Sequence, residues 1–373
     1  MQELPPTIAI AGAWGYIGRK FLDAALGLGI KSFVYDPGEA PADLPLTSVT
    51  RLSDETAFYR LQTALFHLAL HPQHRTNGFY RLLERSNQEP ILILNEKPIA
   101  RPEHPAQCRQ ILQAVEQSRA LVLYDFPELF DPVTHRILQF LSGFEKVEIT
   151  HIYLYRGKDR EAAANPRNYK PMVHIQYQES VHCLAFILYL LGTLEKGFQP
   201  VLSRGISVTA AAQPYCPPNP EAYPYVVDGK CDFALSLGRT TIEGHTDFKQ
   251  NALLKKQRII KGLADQRPFT IEADYLEGHK YLTIDGRPQP CDPGASSYQN
   301  VLSTLWHWYT HVDRDRLLHG LYPHPEFAWL TFQLSSALWR SSWDQKQITF
   351  SSLEELVQFE AGFAAAQKEF CHY

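Results

Sequence analysis

No Cys-x-x-Cys pair occurs anywhere in this chain, and its six cysteines (Cys108, Cys183, Cys216, Cys231, Cys291, Cys371) are scattered. Free thiols in a reducing, cytoplasmic compartment are therefore expected. No apolar run reaches the roughly 18 residues that a membrane span needs, so no membrane association is expected. The opening MQELPPTIAIAG has no basic stretch ahead of an apolar one, so no signal peptide is expected either. Basic surplus is missing too: the net charge is -4 and the pI about 6.4, which argues against a nucleic-acid partner. Internal repeats and low-complexity tracts are absent. The remainder is ordinary globular composition, 45% hydrophobic and 20% charged. At 373 residues the chain exceeds one ordinary core, and about two domains are expected.

The first 130 residues carry the clearest pattern. TIAIA at 7–11 reads as a strand, Tyr16 to Leu26 has helical spacing, and KSFVYD is a second strand ending in Asp36. Gly12, Gly15 and Gly18 punctuate the turn between strand and helix, and Asp36 follows 18 residues after Gly18. Glycine lets the backbone approach a pyrophosphate, and the helix start offers it N–H groups and partial positive charge. An acid ending the second strand can hydrogen-bond the ribose hydroxyls and repels a 2′-phosphate. Gly12, Ala13, Trp14, Gly15, Tyr16, Ile17, Gly18 and Asp36 are thus expected to hold a dinucleotide, NAD rather than NADP. NADP stays open, and the alternative is a nucleotide-free domain with a tight turn.

The alternation continues with strands at 47–51, 64–70, 91–95 and 121–125, and with helices after Ser53, a possible cap, and over 75–86 and 104–118. Such alternation predicts an α/β, doubly wound parallel sheet. The histidines His67, His71 and His74 invite a metal reading. On a strand, however, positions i and i+4 lie about 13 Å apart, too far for one ion. His307 and His311 share a face of a predicted helix over 299–311, but no third ligand accompanies them. No metal site is expected.

The run ILILNEKPIA at 91–100 ends a buried strand in Glu96, Lys97 and Pro98. A glycine turn, an acid after the second strand and this Glu-Lys-Pro together resemble the Gfo/Idh/MocA oxidoreductase family. That resemblance implies a lysine, Lys97, aimed by its proline at the substrate and nicotinamide, with Glu96 at the cofactor edge. HPQH at 71–74 loosely resembles the family's loop after the fourth strand, which implies a cofactor contact by Pro72. ELFDP at 128–132 resembles a later segment but lacks its arginine. The family's second signature is an acid, then a histidine four residues on, opening a helix that ends in Leu-Gly. YQESVHCLAFILYLLG at 177–192 supplies His182 and Leu191-Gly192. It has Gln178 where the family has Asp, and Ala185 where an acid follows the histidine. Glu179 is adjacent but is expected to face elsewhere.

Beyond residue 145, successive strands without intervening helices predict an α+β second domain with an open, mainly antiparallel sheet over 131–373. Asp285-Gly286 is a hairpin signal. The family's sheet has a free face that pairs subunits, so the resemblance implies a homo-oligomer. GKDREAAANPRNYKP at 157–171 reads as a long loop beside the site, with Arg167, Asn168, Tyr169 and Lys170 as candidate substrate contacts. QPYCPPNPEAYPY at 213–225 reads as an ordered surface loop or an arm toward a neighbour. The stretch 352–370 reads as one amphipathic helix capped by Ser352, which could pack back on the first domain.

The resemblance implies hydride transfer at a secondary alcohol or carbonyl carbon of a sugar, polyol or related molecule. His182 would be the base, Lys97 would orient the hydroxyl, and Gln178 would hydrogen-bond the substrate. The alternative is a nucleotide-binding regulator or scaffold without turnover, favoured by Gln178 in the acid's place.

Overall fold

The computed structural model describes residues 5–42, 48–160, 172–223, 225–249 and 255–363. The chain divides into two compact units, Met1–Asp131 with Ala295–Trp329, and Pro132–Gly294 with Leu330–Tyr373.

The first unit is built on six parallel strands, β1 (Thr7–Ala11), β2 (Lys31–Tyr35), β3 (Val49–Arg51), β4 (Leu65–Leu68), β5 (Leu92–Glu96) and β6 (Leu121–Asp125). Their order is β3-β2-β1-β4-β5-β6. The helices α1 (Tyr16–Gly27), α2 (Glu55–Arg60), α3 (Pro72–Ser86) and α4 (Gln107–Glu116) connect them. Every residue of β4, β5 and β6 is buried, which is why these strands read as unbroken apolar runs. The order reverses between β1 and β4, where open α/β sheets form their ligand crevice. Two local expectations change. Asp54, not Ser53, caps α2, its carboxylate accepting from the Ala57 amide at 2.8 Å. Helix α3 starts at Pro72 rather than at residue 75, because proline fits the first turn of a helix.

The second unit opens with α5 (Pro132–Leu141) and β7 (Val147–Gly157). A π-helical turn, Gln176–Ser180, runs into α6 (Val181–Glu195), followed by α7 (Phe198–Leu202). The remaining strands are β8 (Ile206–Pro214), β9 (Asp228–Leu237), β10 (Thr240–Asp247), β11 (Gln257–Ala264), β12 (Arg267–Asp274), β13 (Tyr281–Ile284), β14 (Arg287–Pro288) and β15 (Ile348–Phe350). They form one sheet in the order β14-β13-β12-β11-β7-β10-β9-β8-β15. The β7–β10 pair is parallel and the others are antiparallel. Alternating burial along β9, β10 and β11 covers one face and leaves the other open. Asp285 (φ 51°) and Gly286 (φ 71°) turn the β13–β14 hairpin, as two left-handed residues in a row should. In α6, Val181 through Gly192 are all buried, so this helix is apolar on every side.

The second unit is not the continuous segment 131–373. Residues 295–329 belong to the first unit, carrying α8 (Ser297–His311) and α9 (Arg314–His319). Tyr298 packs edge-on against Phe21 of α1, with ring centroids 5.1 Å apart, and Trp308 lies 5.0 Å from Phe130. Arg314 donates to the carbonyls of Ser118 and Ala120. These contacts are tertiary, so helix spacing alone did not reveal them.

The helix expected over 352–370 also ends early. Its described part, α11 (Leu353–Gln358), is capped by Ser352 as expected. Phe359 then turns extended, because Gln333 of α10 (Pro325–Asp344) takes the carbonyls of Leu356, Val357 and Phe359. The tyrosines of 213–225 are buried rather than held out toward a neighbour. Tyr215 meets Phe248 at 5.7 Å and Tyr225 stacks on His174 at 5.5 Å.

Candidate functional site

In the first unit, Gly12 follows β1 directly with φ 76°. A Cβ there would lie 2.6 Å from the carbonyl of Ala69, which follows β4. A Cβ on Gly18 would collide with the Gly12 carbonyl. Glycine is required at both places for the turn to close over the switch point between β1 and β4. No side chain caps α1 at Gly15, and its first turn holds no acid, as suits an anion at the helix start. The indole Nε1 of Trp14 is buried and meets no hydrogen-bond partner among the described residues.

Asp36 ties this turn to the end of β2. One carboxylate oxygen accepts from the Trp14 amide at 3.0 Å and the other from the Gly38 amide at 2.9 Å. Each oxygen keeps lone-pair capacity for a ribose hydroxyl. Sequence reading found no cation after Asp36. The fold brings one from β3, where Arg51 donates to the Gly38 carbonyl at 2.9 Å. With Asp36 held by two amides, an orphaned indole N–H and a glycine cradle, the turn fits a dinucleotide.

At the end of β5, Glu96 is buried and bonded to His67 on β4 at 3.0 Å. The Phe21 ring lies edge-on to His67 at 4.1 Å. His67 is therefore a core histidine paired with the Glu-Lys-Pro motif. His71 instead accepts from the Gln73 amide at the start of α3, beside Pro72. Among the described residues no group of three or more His, Cys, Asp or Glu is placed to hold a metal. His307 and His311 lie 4.4 Å apart on α8. Lys97 is half-buried, and the Lys97–Pro98 peptide is cis. The carbonyl of Pro98 accepts from buried Arg75 of α3, and Asn95 bonds both the Glu96 amide (3.0 Å) and the Tyr124 hydroxyl (3.4 Å). The backbone on both sides of Lys97 is thus fixed by side chains. Arg75 has no signal in the sequence, because its partner is a carbonyl.

In the second unit, His182 lies in the first turn of α6 and is 5% exposed. Gln178, one turn earlier, is half-buried in the π-helical turn, a form often found at functional sites. The turn is pinned to the sheet by Gln176 to Asp228 (2.8 Å) and by Ser180 to Thr246 (2.8 Å). Glu179, next to Gln178, is fully buried and faces cations at the end of β7. Arg156 contacts it at 2.8 Å, Lys158 at 3.0 Å and Arg160 at 3.1 Å. These cations lie at alternate positions as β7 ends, so they project to one side. That alternation was readable in YRGKDR. Their acidic partner was not, because the π turn sets where Glu179 points. Arg167, Asn168, Tyr169 and Lys170 lie outside the described residues.

The sequence matches no protein-family model and no curated protein. Solved structures match along nearly the whole chain. A myo-inositol dehydrogenase from Corynebacterium glutamicum is 16% identical with a TM-score of 0.66, over 93% of this chain and 99% of that one. An oxidoreductase from Agrobacterium radiobacter, solved with NAD+, L-tartaric acid and magnesium, is 15% identical with a TM-score of 0.65, over 93% and 98%. A super-repressor mutant of Gal80p from Saccharomyces cerevisiae is 13% identical with a TM-score of 0.69, over 95% and 100%. At such identities the likeness speaks for architecture. The chain has the fold of the Gfo/Idh/MocA-type oxidoreductases, in agreement with its glycine turn and its Glu96-Lys97-Pro98.

Proposed function

We propose that the chain is an NAD(H)-dependent oxidoreductase. Its substrate would be a secondary alcohol, or the matching carbonyl, on a sugar, polyol or related small molecule. The observation that carries this reading is the glycine turn at the β1/β4 switch point, locked to Asp36 through the Trp14 amide. Bound NAD supplies the hydride acceptor, or as NADH the donor. Gly12 to Gly18 would receive the pyrophosphate, with Asp36 on the adenosine ribose and Pro72 and Glu96 at the rim. Lys97 would hold the reacting hydroxyl and stabilise its developing alkoxide. His182 would take the hydroxyl proton as general base. Gln178 would orient a substrate hydroxyl as an uncharged hydrogen-bond partner, and Arg167, Asn168, Tyr169 and Lys170 would add contacts. A second copy on the open sheet face, in the cytoplasm, completes the proposal.

Fluorescence titration with NADH and separately with NADPH tests the cofactor half. Saturable binding with NADH preferred is the expected result. Preference for NADPH would shift the deciding role from Asp36 to Arg51. Binding of neither would end the dehydrogenase reading.

One observation favours a second reading, a nucleotide-binding regulator. Gln178 cannot take a proton, and a neighbour of the same fold is a repressor by its description. Tight NADH binding without turnover across sugars, polyols and their acids would favour the regulator.

A further inference from the structure

We infer that Arg75 is a positioning residue for Lys97, acting through the carbonyl of Pro98. This inference rests on the oxidoreductase reading. It brings a residue from outside the Glu96-Lys97-Pro98 motif into the machinery of that site.

The ladder between β5 and β6 ends at the Glu96–Asp125 pair, one residue before Lys97. Past that point the sheet no longer holds the backbone, and side chains must. Asn95 anchors the near side: its oxygen accepts from the Glu96 amide at 3.0 Å, and its amide group donates to the Tyr124 hydroxyl. Arg75 of α3 anchors the far side, donating through Nη2 to the Pro98 carbonyl. The chain on either side of Lys97 is thereby tied to two different elements.

A buried guanidinium is a costly anchor for one carbonyl. Arg75 is 4% exposed, and its Nη1 is buried and meets no hydrogen-bond partner among the described residues. Burial lowers its pKa, yet a guanidinium keeps its proton inside a protein, so the charge remains. Among the described residues no carboxylate bonds to it. Glu96 turns to His67 instead and acts on Arg75 through space. A neutral amide side chain would satisfy the carbonyl with less desolvation. A charged donor makes a bond about twice as strong. The stronger bond falls on the residue next to Lys97.

Placement matters there because a lysine is a point charge on a flexible four-carbon stem. Its ammonium is aimed no better than its Cα. A misplacement of about 1 Å at a group that holds the reacting hydroxyl costs about 10²-fold in rate. Arg75 acts on the backbone, so its loss should slow the chemical step and spare binding.

The test measures turnover of the full chain with NAD+ across sugars, polyols and their acids, D-glucose, D-sorbitol and D-gluconate among them. The best substrate is carried into the variants. Arg75→Met should lower kcat about 100-fold, with KM and NADH affinity within about threefold of wild type. Arg75→Lys keeps a charged donor and should recover about tenfold of that loss. Added to Lys97→Ala, Arg75→Met should cost nothing further, because the two residues act as one unit. A purely structural role would slow both backgrounds alike. A thermal melt checks folding, and if Arg75→Met does not fold, Arg75→Lys takes its place in the cycle. An unchanged kcat, or a full further loss on top of Lys97→Ala, overturns the inference. NADH binding without wild-type turnover on any of these compounds ends the oxidoreductase reading itself and this inference with it, an outcome distinct from the other two.

Discussion

Glu96 and Glu179 are both buried carboxylates beside a proposed catalytic residue, yet they are neutralised differently. Glu96, next to Lys97, meets a single imidazole, His67. Glu179, one turn before His182, meets an ammonium and two guanidiniums. The same contrast extends to other buried groups. His324 in the first unit is 1% exposed, and burial lowers its pKa to about 4, so it stays an uncharged imidazole at neutral pH. Full charges are buried in both units, Arg75 beside the Pro98 carbonyl in the first and Arg156 and Arg160 beside Glu179 in the second. Buried polar groups that find their partners fix the geometry around them.

The largest effect should come from Lys97→Ala. Turnover should fall about 10³-fold, the loss typical of a donor to a developing oxyanion, while NADH binding by fluorescence stays near wild type. Undiminished turnover would remove Lys97 from the mechanism. Next comes Glu179→Gln, which leaves buried cations without their carboxylate. A loss of about 3–5 kcal/mol is expected in urea unfolding. A loss below 1 kcal/mol would mean that the cluster is better solvated than its burial implies.

Acid should act through the neutral imidazole. Unfolded His324 binds a proton near its ordinary pKa of 6.5, and the folded protein resists it to about 4. Its contribution to stability is complete above pH 6.5 and is lost as pH falls toward 4, by at most about 3 kcal/mol. Melting curves across that window should show the decline, and His324→Asn should flatten it. The smallest effect belongs to Glu96→Gln, which keeps the shape and one hydrogen bond to His67. About 1 kcal/mol is expected. A cost matching that of Glu179→Gln would erase the distinction between the two sites.

Much of this was legible in the sequence because local chemistry carried it. Gly12 and Gly18 signal a backbone that no side chain can occupy. The unbroken apolar runs of β4, β5 and β6 signal burial on both faces, and Asp285-Gly286 signals its hairpin. Strand β8 shows the limit. ISVTAAAQP has few bulky residues to alternate, and its partners β9 and β15 come from distant sequence. The pairing of Glu179 with the cations at the end of β7 was not legible for a related reason, since it joins separate elements. Arg51 and Arg75 were silent because each serves a carbonyl across the fold, and carbonyls leave no mark on composition.

The return of α8 to the first unit bears on how the chain is made. Residues 1–131 leave the ribosome early, but the rings that cover Phe21 and Phe130 belong to Tyr298 and Trp308. Until translation has passed residue 311, the nascent first unit carries apolar surface that its own later residues must seal. Apolar surface exposed in this way during synthesis is prone to aggregate.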